Sequence, residues 1–150
     1  MHIVLVAPEI PQNTGSIGRL CVATDSTLHL IDPLGFAIDD RHLRRAGLDY
    51  WPHVRLVRHA DWEAFLGARP DGRILCFSAR VTRSYTTVRY RAEDLLVFGG
   101  ESRGLPQAIR AAYADSTFGI PLASEHVRSL NLANAVSIVL YEALRQQGKV

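Results

Sequence analysis

The chain has 150 residues, of which 47% are apolar, and its formal net charge is +2. This length and composition suffice for one buried core, and they fit a single domain over residues 1–150 better than two domains. A charge this small does not by itself indicate nucleic-acid binding, which depends on where cations cluster. Nearly all of the 17 basic residues are Arg. That preference either serves phosphate and base contacts or reflects the base composition of the genome.

The cysteines and the N-terminus together predict a cytoplasmic protein. Cys21 and Cys76 lie among apolar neighbours, and no second Cys or His stands at a metal-ligand spacing from either. We interpret both as reduced core residues. The chain opens directly on a strand pattern without a basic signal-peptide segment, and no apolar run reaches transmembrane length. We therefore expect no export, no membrane contact and no bound metal.

Apolar runs predict six strands, at 3–7, 28–31, 54–57, 74–77, 95–98 and 117–120. Helical periodicity predicts helices between most of them, over 14–24, 39–46, 61–66, 106–114 and 129–146. Alternating strands and helices are typical of an α/β fold with a mainly parallel sheet and flanking helices. Because no linker or repeat divides the chain, we expect function to lie in the loops at strand ends.

The last predicted helix, 129–146, has apolar residues on almost every side, including Val136, Val139, Leu140 and Leu144. Such a helix must be covered on two sides. It is either a central helix within one chain or part of a subunit interface. Since a small domain has little material to cover it, we favour a homodimer interface.

The first candidate motif spans residues 8–19, where a strand ends in a polar turn that opens a helix. Ligands of open α/β sheets bind at such positions. Asn13 or Thr14 is expected to cap the helix, whose free N–H groups favour an anion such as an RNA phosphate. Arg19 follows about one and a half turns later. The alternative is an ordinary capped helix with a surface Arg, since no GxGxxG or Walker pattern is present.

The second motif, residues 98–106, also follows a strand directly. Its glycines, Gly99, Gly100 and Gly104, are expected to let the backbone approach a ligand closely. The alternative is a tight turn closed by a pair between Glu101 and Arg103.

The third motif comprises residues 119–122 and the helix entrance at 128–136. Ser129 is expected to cap the helix. Asn131 and Asn134 add amides to an otherwise apolar helix, and buried amides need hydrogen-bond partners. A ligand or a second subunit would provide them.

Taken in order, these three segments resemble the three motifs of the SPOUT methyltransferases, in the branch that methylates tRNA ribose. Within that branch, segments 43–51 and 139–146 are similar to enzymes that act on a cytidine or uridine at the wobble position. The resemblance spans almost the whole chain. It implies a SPOUT fold with a deep trefoil knot in the C-terminal half, contrary to the usual rule of unknotted chains, and S-adenosylmethionine bound in the loops of that knot.

The resemblance also assigns residues to the cofactor. The contacts that it implies are Phe77, Gly99, Gly100, Ile120, Leu122, Ser129 and Leu130. Gly100 departs from the family, which more often has proline before the acidic residue, so the backbone contacts at this position stay open.

For catalysis, the resemblance assigns activation of the ribose hydroxyl to Arg19. Because a guanidinium normally stays protonated, we favour positioning of the phosphate and hydroxyl by Arg19 instead. Glu101 and Asn131 would organise the pocket. Tyr141 would either take part near the subunit boundary or simply fill a helix interface.

The expected RNA contacts are Asn13 and a basic rim made of Arg41, Arg44 and Arg45, although these arginines would also suit an ordinary solvated helix face. The predicted activity is methylation of the 2′-hydroxyl of the tRNA wobble ribose in the anticodon region, by a cytoplasmic homodimer that uses S-adenosylmethionine. The alternatives are another tRNA or rRNA ribose, a catalytically inactive RNA-binding relative, and a flavin or nucleotide-binding α/β domain.

Overall fold

The structure, a computed structural model, describes residues 1–37 and 49–150. Its strands are β1 His2–Val6, β2 Thr27–Ile31, β3 Arg55–His59, β4 Ile74–Phe77, β5 Leu95–Gly99 and β6 Thr117–Phe118. Its helices are α1 Pro11–Ala23, α2 Trp62–Ala68, α3 Gln107–Ala112 and α4 Leu132–Gln146, with short 3-10 turns at Trp51–His53, Tyr85–Thr87 and Ala114–Ser116. All six predicted strands are confirmed. The helix predicted at 39–46 lies outside the described residues.

The six strands form one sheet in the order β3-β2-β1-β5-β4-β6, and every neighbouring pair is parallel. The predicted α/β fold with a parallel sheet and flanking helices is thereby confirmed. β1 lies between β2 and β5, with Val6 opposite Gly99 at the carboxyl ends of β1 and β5. The chain order reverses at this pair of strands, and parallel sheets bind ligands at such reversal points. The loops after β1 and β5 therefore meet where a site is expected.

Helices cover both faces of the sheet. α1 and α4 pack on one face through Ile17, Val136 and Leu140, which are fully buried. α2 and α3 pack on the other face through Phe65 and Ile109. Burial of this apolar area supplies most of the driving force for folding.

Helix α4 buries most of its apolar side chains within its own chain. The buried set is Leu132, Val136, Val139, Leu140, Ala143 and Leu144. Val139 is completely buried in the core, whereas Ile138 is 36% exposed and Tyr141 46% exposed. α4 therefore does not present the broad apolar face to a second subunit that we expected, because most of its apolar side chains pack within their own chain. Among the residues that the structure describes, the exposed large apolar side chains of α4 are Ile138 and Tyr141, which form a narrow stripe.

The segment after β4 wraps closely around the end of β6. The amide of Ser78 donates to the Phe118 carbonyl at 2.9 Å, and the amide of Tyr85 donates to the Gly119 carbonyl at 2.9 Å. A Cβ on Gly119 would lie 2.0 Å from the Val81 carbonyl oxygen, so glycine allows this approach. The trefoil knot concerns how the chain threads, which strand order does not decide, and it stays a prediction.

Cys21 and Cys76 are free and buried on opposite faces of the sheet. Burial raises the pKa of each thiol to about 12, so both stay protonated at neutral pH. Across residues 1–37 and 49–150, no helix has the length and apolar character needed to cross a membrane. In the same ranges, no group of three or more His, Cys, Asp and Glu side chains has the arrangement of a metal site.

Candidate active site

A cavity of about 600 Å³ lies at the carboxyl ends of β4 and β5, beside the entrance to α4. Its volume falls within the range of small-molecule and cofactor sites. All seven residues that the family resemblance assigned to the cofactor line it: Phe77, Gly99, Gly100, Ile120, Leu122, Ser129 and Leu130. They come from four separate stretches of chain, which the parallel sheet brings to one edge.

The glycines at the end of β5 line the cavity, and they are also needed for close packing of the protein's own backbone. A Cβ on Gly99 would lie 2.0 Å from the Gly104 carbonyl carbon, and a Cβ on Gly100 would lie 2.4 Å from the Ala7 carbonyl oxygen. Gly104 has a φ of +68°, a conformation that suits glycine, with open space beside it. Close approach of the protein's own backbone thus explains Gly99 and Gly100. Substitution of Gly99 by Val would disrupt this turn before it affected a ligand.

The Glu101 side chain binds the loop that joins β1 to α1. Its carboxylate accepts the backbone N–H groups of Glu9 at 2.7 Å and Ile10 at 3.2 Å, and the side-chain amide of Asn13 at 2.9 Å. These donors occupy both carboxylate oxygens. The alternative of a turn closed by Glu101 and Arg103 is therefore wrong, since no such ion pair is found among the described residues.

The observed start of α1 also differs from the expected one. Ile10 is the N-cap, Pro11 opens the helix, and neither Asn13 nor Thr14 caps it. Proline suits the first helical position because its missing N–H would have no intrahelical partner. The anion bound at this helix start is the Glu101 carboxylate, which takes the place that we expected an RNA phosphate to fill.

Asn13 connects this loop to the third motif. Its side-chain oxygen accepts the amide of Asn131 at 2.9 Å, while its nitrogen donates to Glu101. Asn131 also caps α4, because its oxygen accepts the backbone N–H groups of Ala133 at 2.9 Å and Asn134 at 3.3 Å. The expected cap at Ser129 is therefore wrong. We refer to the hydrogen-bonded series Glu101, Asn13 and Asn131 as the amide relay.

The amide relay joins all three motif segments beside the cavity that its members help to line. Asn13 is only 7% exposed, and both ends of its amide are used within the chain. Its position therefore suits a link between loops better than the expected contact with RNA. A second contact runs parallel to the relay: the Ser102 hydroxyl donates to the Glu9 carboxylate at 2.7 Å.

Two expected catalytic residues lie outside the cavity of a single chain. Arg19 is exposed on α1, and its guanidinium carbon lies 4.7 Å from the centroid of the Tyr50 ring. Tyr141 is exposed on the outer stripe of α4. The expected RNA contacts Arg41, Arg44 and Arg45 lie outside the described residues.

Sequence reasoning overlooked several residues near the site. Four arginines line the cavity: Arg80, Arg103, Arg110 and Arg128. Arg103 lies beside the glycines of the second motif, and Arg128 lies at the α4 entrance in the third motif. These positions in the sequence were the available signal that both arginines lie near the site. The contact between Tyr50 and Arg19 had no local signal, since the two lie 31 positions apart in the sequence.

The SpoU rRNA Methylase family model matches residues 1–141. The chain belongs to this family. The tRNA (cytidine(34)-2′-O)-methyltransferase of Escherichia coli strain K12 is 48% identical over 149 residues, which cover 99% of this chain and 94% of that protein. This similarity extends over the whole SpoU domain and includes all three motif segments.

Solved structures agree with this assignment. One that concerns the 2-OH methylation of C/U34 on tRNA has a TM-score of 0.91 and 49% identity, and the match covers 99% of this chain and 97% of that one. The SpoU methyltransferase AviRb from Streptomyces viridochromogenes, in complex with the cofactor AdoMet, has a TM-score of 0.79 and 27% identity. The match covers 98% of this chain and 57% of the AviRb chain.

Proposed function

We propose that this protein transfers a methyl group from S-adenosylmethionine to the ribose 2′-hydroxyl of the wobble nucleotide of tRNA, a cytidine or uridine at position 34. The observation that carries the proposal is the amide relay, which joins three motif segments around one cavity. The 48% identity to a tRNA (cytidine(34)-2′-O)-methyltransferase over nearly the whole chain supports this substrate.

The cavity suits S-adenosylmethionine in size and in chemistry. Phe77, Ile120, Leu122 and Leu130 offer apolar surface that would hold the adenine, while Ser129 and the backbone after β5 offer polar groups. The AdoMet-bound relative supports the same choice of cofactor. When bound, this cofactor supplies an electrophilic methyl group on a positively charged sulfur.

The amide relay would hold the walls of the cavity in one arrangement. Glu101 binds the start of α1, Asn131 caps α4, and Asn13 joins them. Methyl transfer to a weak nucleophile requires accurate alignment, which a rigid hydrogen-bonded wall provides before the substrate arrives. We therefore assign Asn13 to positioning, together with Glu101 and Asn131.

Arg19 would bind the target nucleotide. A guanidinium stays protonated in proteins, so Arg19 is suited to holding a phosphate and orienting the hydroxyl, and it is poorly suited to removing a proton. Arg41, Arg44 and Arg45 would contact the anticodon arm. The arginines at the cavity, Arg80, Arg103 and Arg128, add positive charge where the RNA must enter.

The proposed active form is a homodimer of single-domain chains in the cytoplasm, where tRNA is modified. Ile138 and Tyr141 form an exposed stripe on α4 that a second copy would cover. Because Tyr141 lies outside the cavity of its own chain, a catalytic role for it requires such an assembly. Sedimentation equilibrium tests this point, and a monomer at micromolar concentration would contradict the dimer.

The activity is tested by incubating the protein with labelled S-adenosylmethionine and total tRNA, then mapping the modified nucleosides. A 2′-O-methylated cytidine or uridine at position 34 is the expected result. Methylation of another ribose would mean that the enzyme modifies a different position in RNA. The absence of transfer by folded protein that binds tRNA would identify a catalytically inactive relative.

Substitution of Arg19 by Ala should lower the single-turnover rate at saturating tRNA by about a thousandfold, because the target nucleotide loses its positioning group. The affinity for S-adenosylmethionine should stay within about twofold of wild type, a difference of under half a kcal/mol, since Arg19 does not line the cavity. Arg19→Lys is the matched variant. It keeps the charge but loses the planar fork, so partial rescue would indicate simple phosphate attraction.

A further inference from the structure

Tyr50 makes two contacts with one turn of α1. Its hydroxyl donates to the Gly15 carbonyl at 2.8 Å. Its ring lies beneath Arg19, with the guanidinium carbon 4.7 Å from the ring centroid. Gly15 and Arg19 are separated by about one helical turn. A single side chain therefore holds the backbone at one end of this turn and the charged group at the other end.

The neighbouring packing determines where Tyr50 lies. Trp51, the next residue, lies directly against α1, and a Cβ on Gly18 would be 2.6 Å from its Cζ3 atom. Only glycine at position 18 leaves room for this indole without displacement. Gly15 and Gly18 of the first motif thus help to seat residues 50 and 51 on the helix that carries Arg19.

The chemistry of Tyr50 suits binding and does not suit proton transfer. Burial raises the pKa of the phenol above its ordinary value, and the nearby positive charge of Arg19 opposes this with a smaller effect. The phenol is therefore neutral at physiological pH. A neutral phenol can donate to Gly15 and present a π face to a cation, but it cannot act as a base there.

We propose that Tyr50 is a positioning residue that holds the Arg19 guanidinium in the orientation needed to engage the target nucleotide. The inference rests on the proposed function, because it assigns Tyr50 to the arginine that acts on the RNA. An exposed arginine side chain samples many rotamers, and an aromatic face restricts both its direction and the plane of its fork. The packing of Trp51 on α1 and the contact with Gly15 together keep the ring itself in place.

The test compares two rings of the same shape at position 50. Tyr50→Phe keeps the electron-rich face and loses only the hydroxyl. Pentafluorophenylalanine at position 50 also lacks the hydroxyl, but its face no longer attracts a cation. We expect Phe to stay within about threefold of the wild-type single-turnover rate and the fluorinated ring to fall about tenfold below Phe.

Three further measurements separate positioning from a structural role. The two variants should have equal melting temperatures and equal affinities for S-adenosylmethionine, and their difference in rate should vanish in an Arg19→Ala background. Tyr113→Leu is a control. Tyr113 packs edge-on against Trp62 at 5.9 Å on the other face of the sheet, so its loss should lower stability and not the rate.

The possible outcomes are distinguishable. Equal rates for the two rings, with active wild type and a defective Arg19→Ala variant, would overturn the role of Tyr50 and leave the proposed function intact. A rate difference that persists in the Arg19→Ala background would also overturn it, because the effect would not pass through Arg19. Wild-type protein that transfers no methyl group would instead overturn the proposed function.

Discussion

The protein contains two series of hydrogen-bonded polar side chains, and they lie in different places. The amide relay joins loops beside the cavity. The second series joins three strands: Nδ1 of His2 lies 3.0 Å from Nε2 of His29, and Nδ1 of His29 lies 3.0 Å from Nε2 of His59. His29 and His59 pack edge-on against Phe65, inside the layer that α2 covers. We call these three residues the histidine chain.

The two series also differ in charge. In the amide relay, a carboxylate accepts hydrogen bonds from three N–H donors. In the histidine chain, burial lowers the pKa of all three imidazoles, and that of His29 falls to about 4. A series of neutral imidazoles satisfies every shared hydrogen bond, because each ring donates once and accepts once. A buried series of hydrogen-bonded side chains is thus not by itself the mark of an active site. What distinguishes the amide relay is its position at the carboxyl ends of β1 and β5.

Among the changes that compare these two series, the largest effect is expected from Glu101→Gln. The Gln nitrogen cannot accept a hydrogen bond, so one of the donors on Glu9, Ile10 and Asn13 would face a second donor. We expect the single-turnover rate to fall about a hundredfold and the free energy of unfolding to fall by about 2 kcal/mol. Quench-flow assays and urea unfolding measure the two effects. Glu93→Gln, at an exposed acid away from the cavity, is the control.

If Glu101→Gln retained the wild-type rate, the amide relay would not contribute to activity. The proposed difference between the amide relay and the histidine chain would then be wrong. A loss of stability with no loss of rate would have the same meaning, provided that the assay temperature lies well below the melting temperature.

The histidine chain should make stability, and not cofactor binding, depend on pH. An unfolded His binds a proton near pH 6.5, whereas His29 in the folded chain binds one only near pH 4. The unfolded state therefore gains protons first, and stability falls as the pH is lowered from 6.5 towards 4. We expect a loss of about 2 kcal/mol over this range. His29→Gln, which cannot titrate, should reduce this loss, and the lowered pKa values of His2 and His59 should leave a smaller dependence on pH.

Urea unfolding at a series of pH values measures this dependence, and calorimetry at the same pH values measures the affinity for S-adenosylmethionine. A histidine chain that only supports the fold leaves the affinity of folded protein unchanged between pH 7 and 6. An affinity that followed the titration of His29 would show that the two series are coupled, contrary to their separate positions.

The fold was predictable because its signals are local. Each strand is a short apolar run between polar turns, so the boundaries of β1 and β4 follow from neighbouring residues. The start of α4 was harder. Ser129 and Asn131 are both good caps by type, and the path of the preceding loop selects Asn131.

The site was only partly predictable because its contacts join distant parts of the chain. The family resemblance supplied the residues that line the cavity, but residue type could not show that Asn13 binds Glu101, 88 positions later. The same limit applies to Gly99. Its sequence context indicates a close approach, yet only the folded loop shows that the approaching group is Gly104.

The smallest effect is expected from Ser102→Ala, which removes the contact that runs parallel to the amide relay. The Ser102 hydroxyl donates to the Glu9 carboxylate at 2.7 Å, but Ser102 is exposed, so water can replace the lost donor. The backbone N–H of Glu9 still binds Glu101 in this variant. We expect a change of less than threefold in the single-turnover rate and of about 0.5 kcal/mol in unfolding free energy. Ser124→Ala, at another exposed loop serine, is the control. A tenfold loss of rate would mean that the Glu9 side chain belongs to the relay, so that the functional network extends to the exposed rim of the cavity.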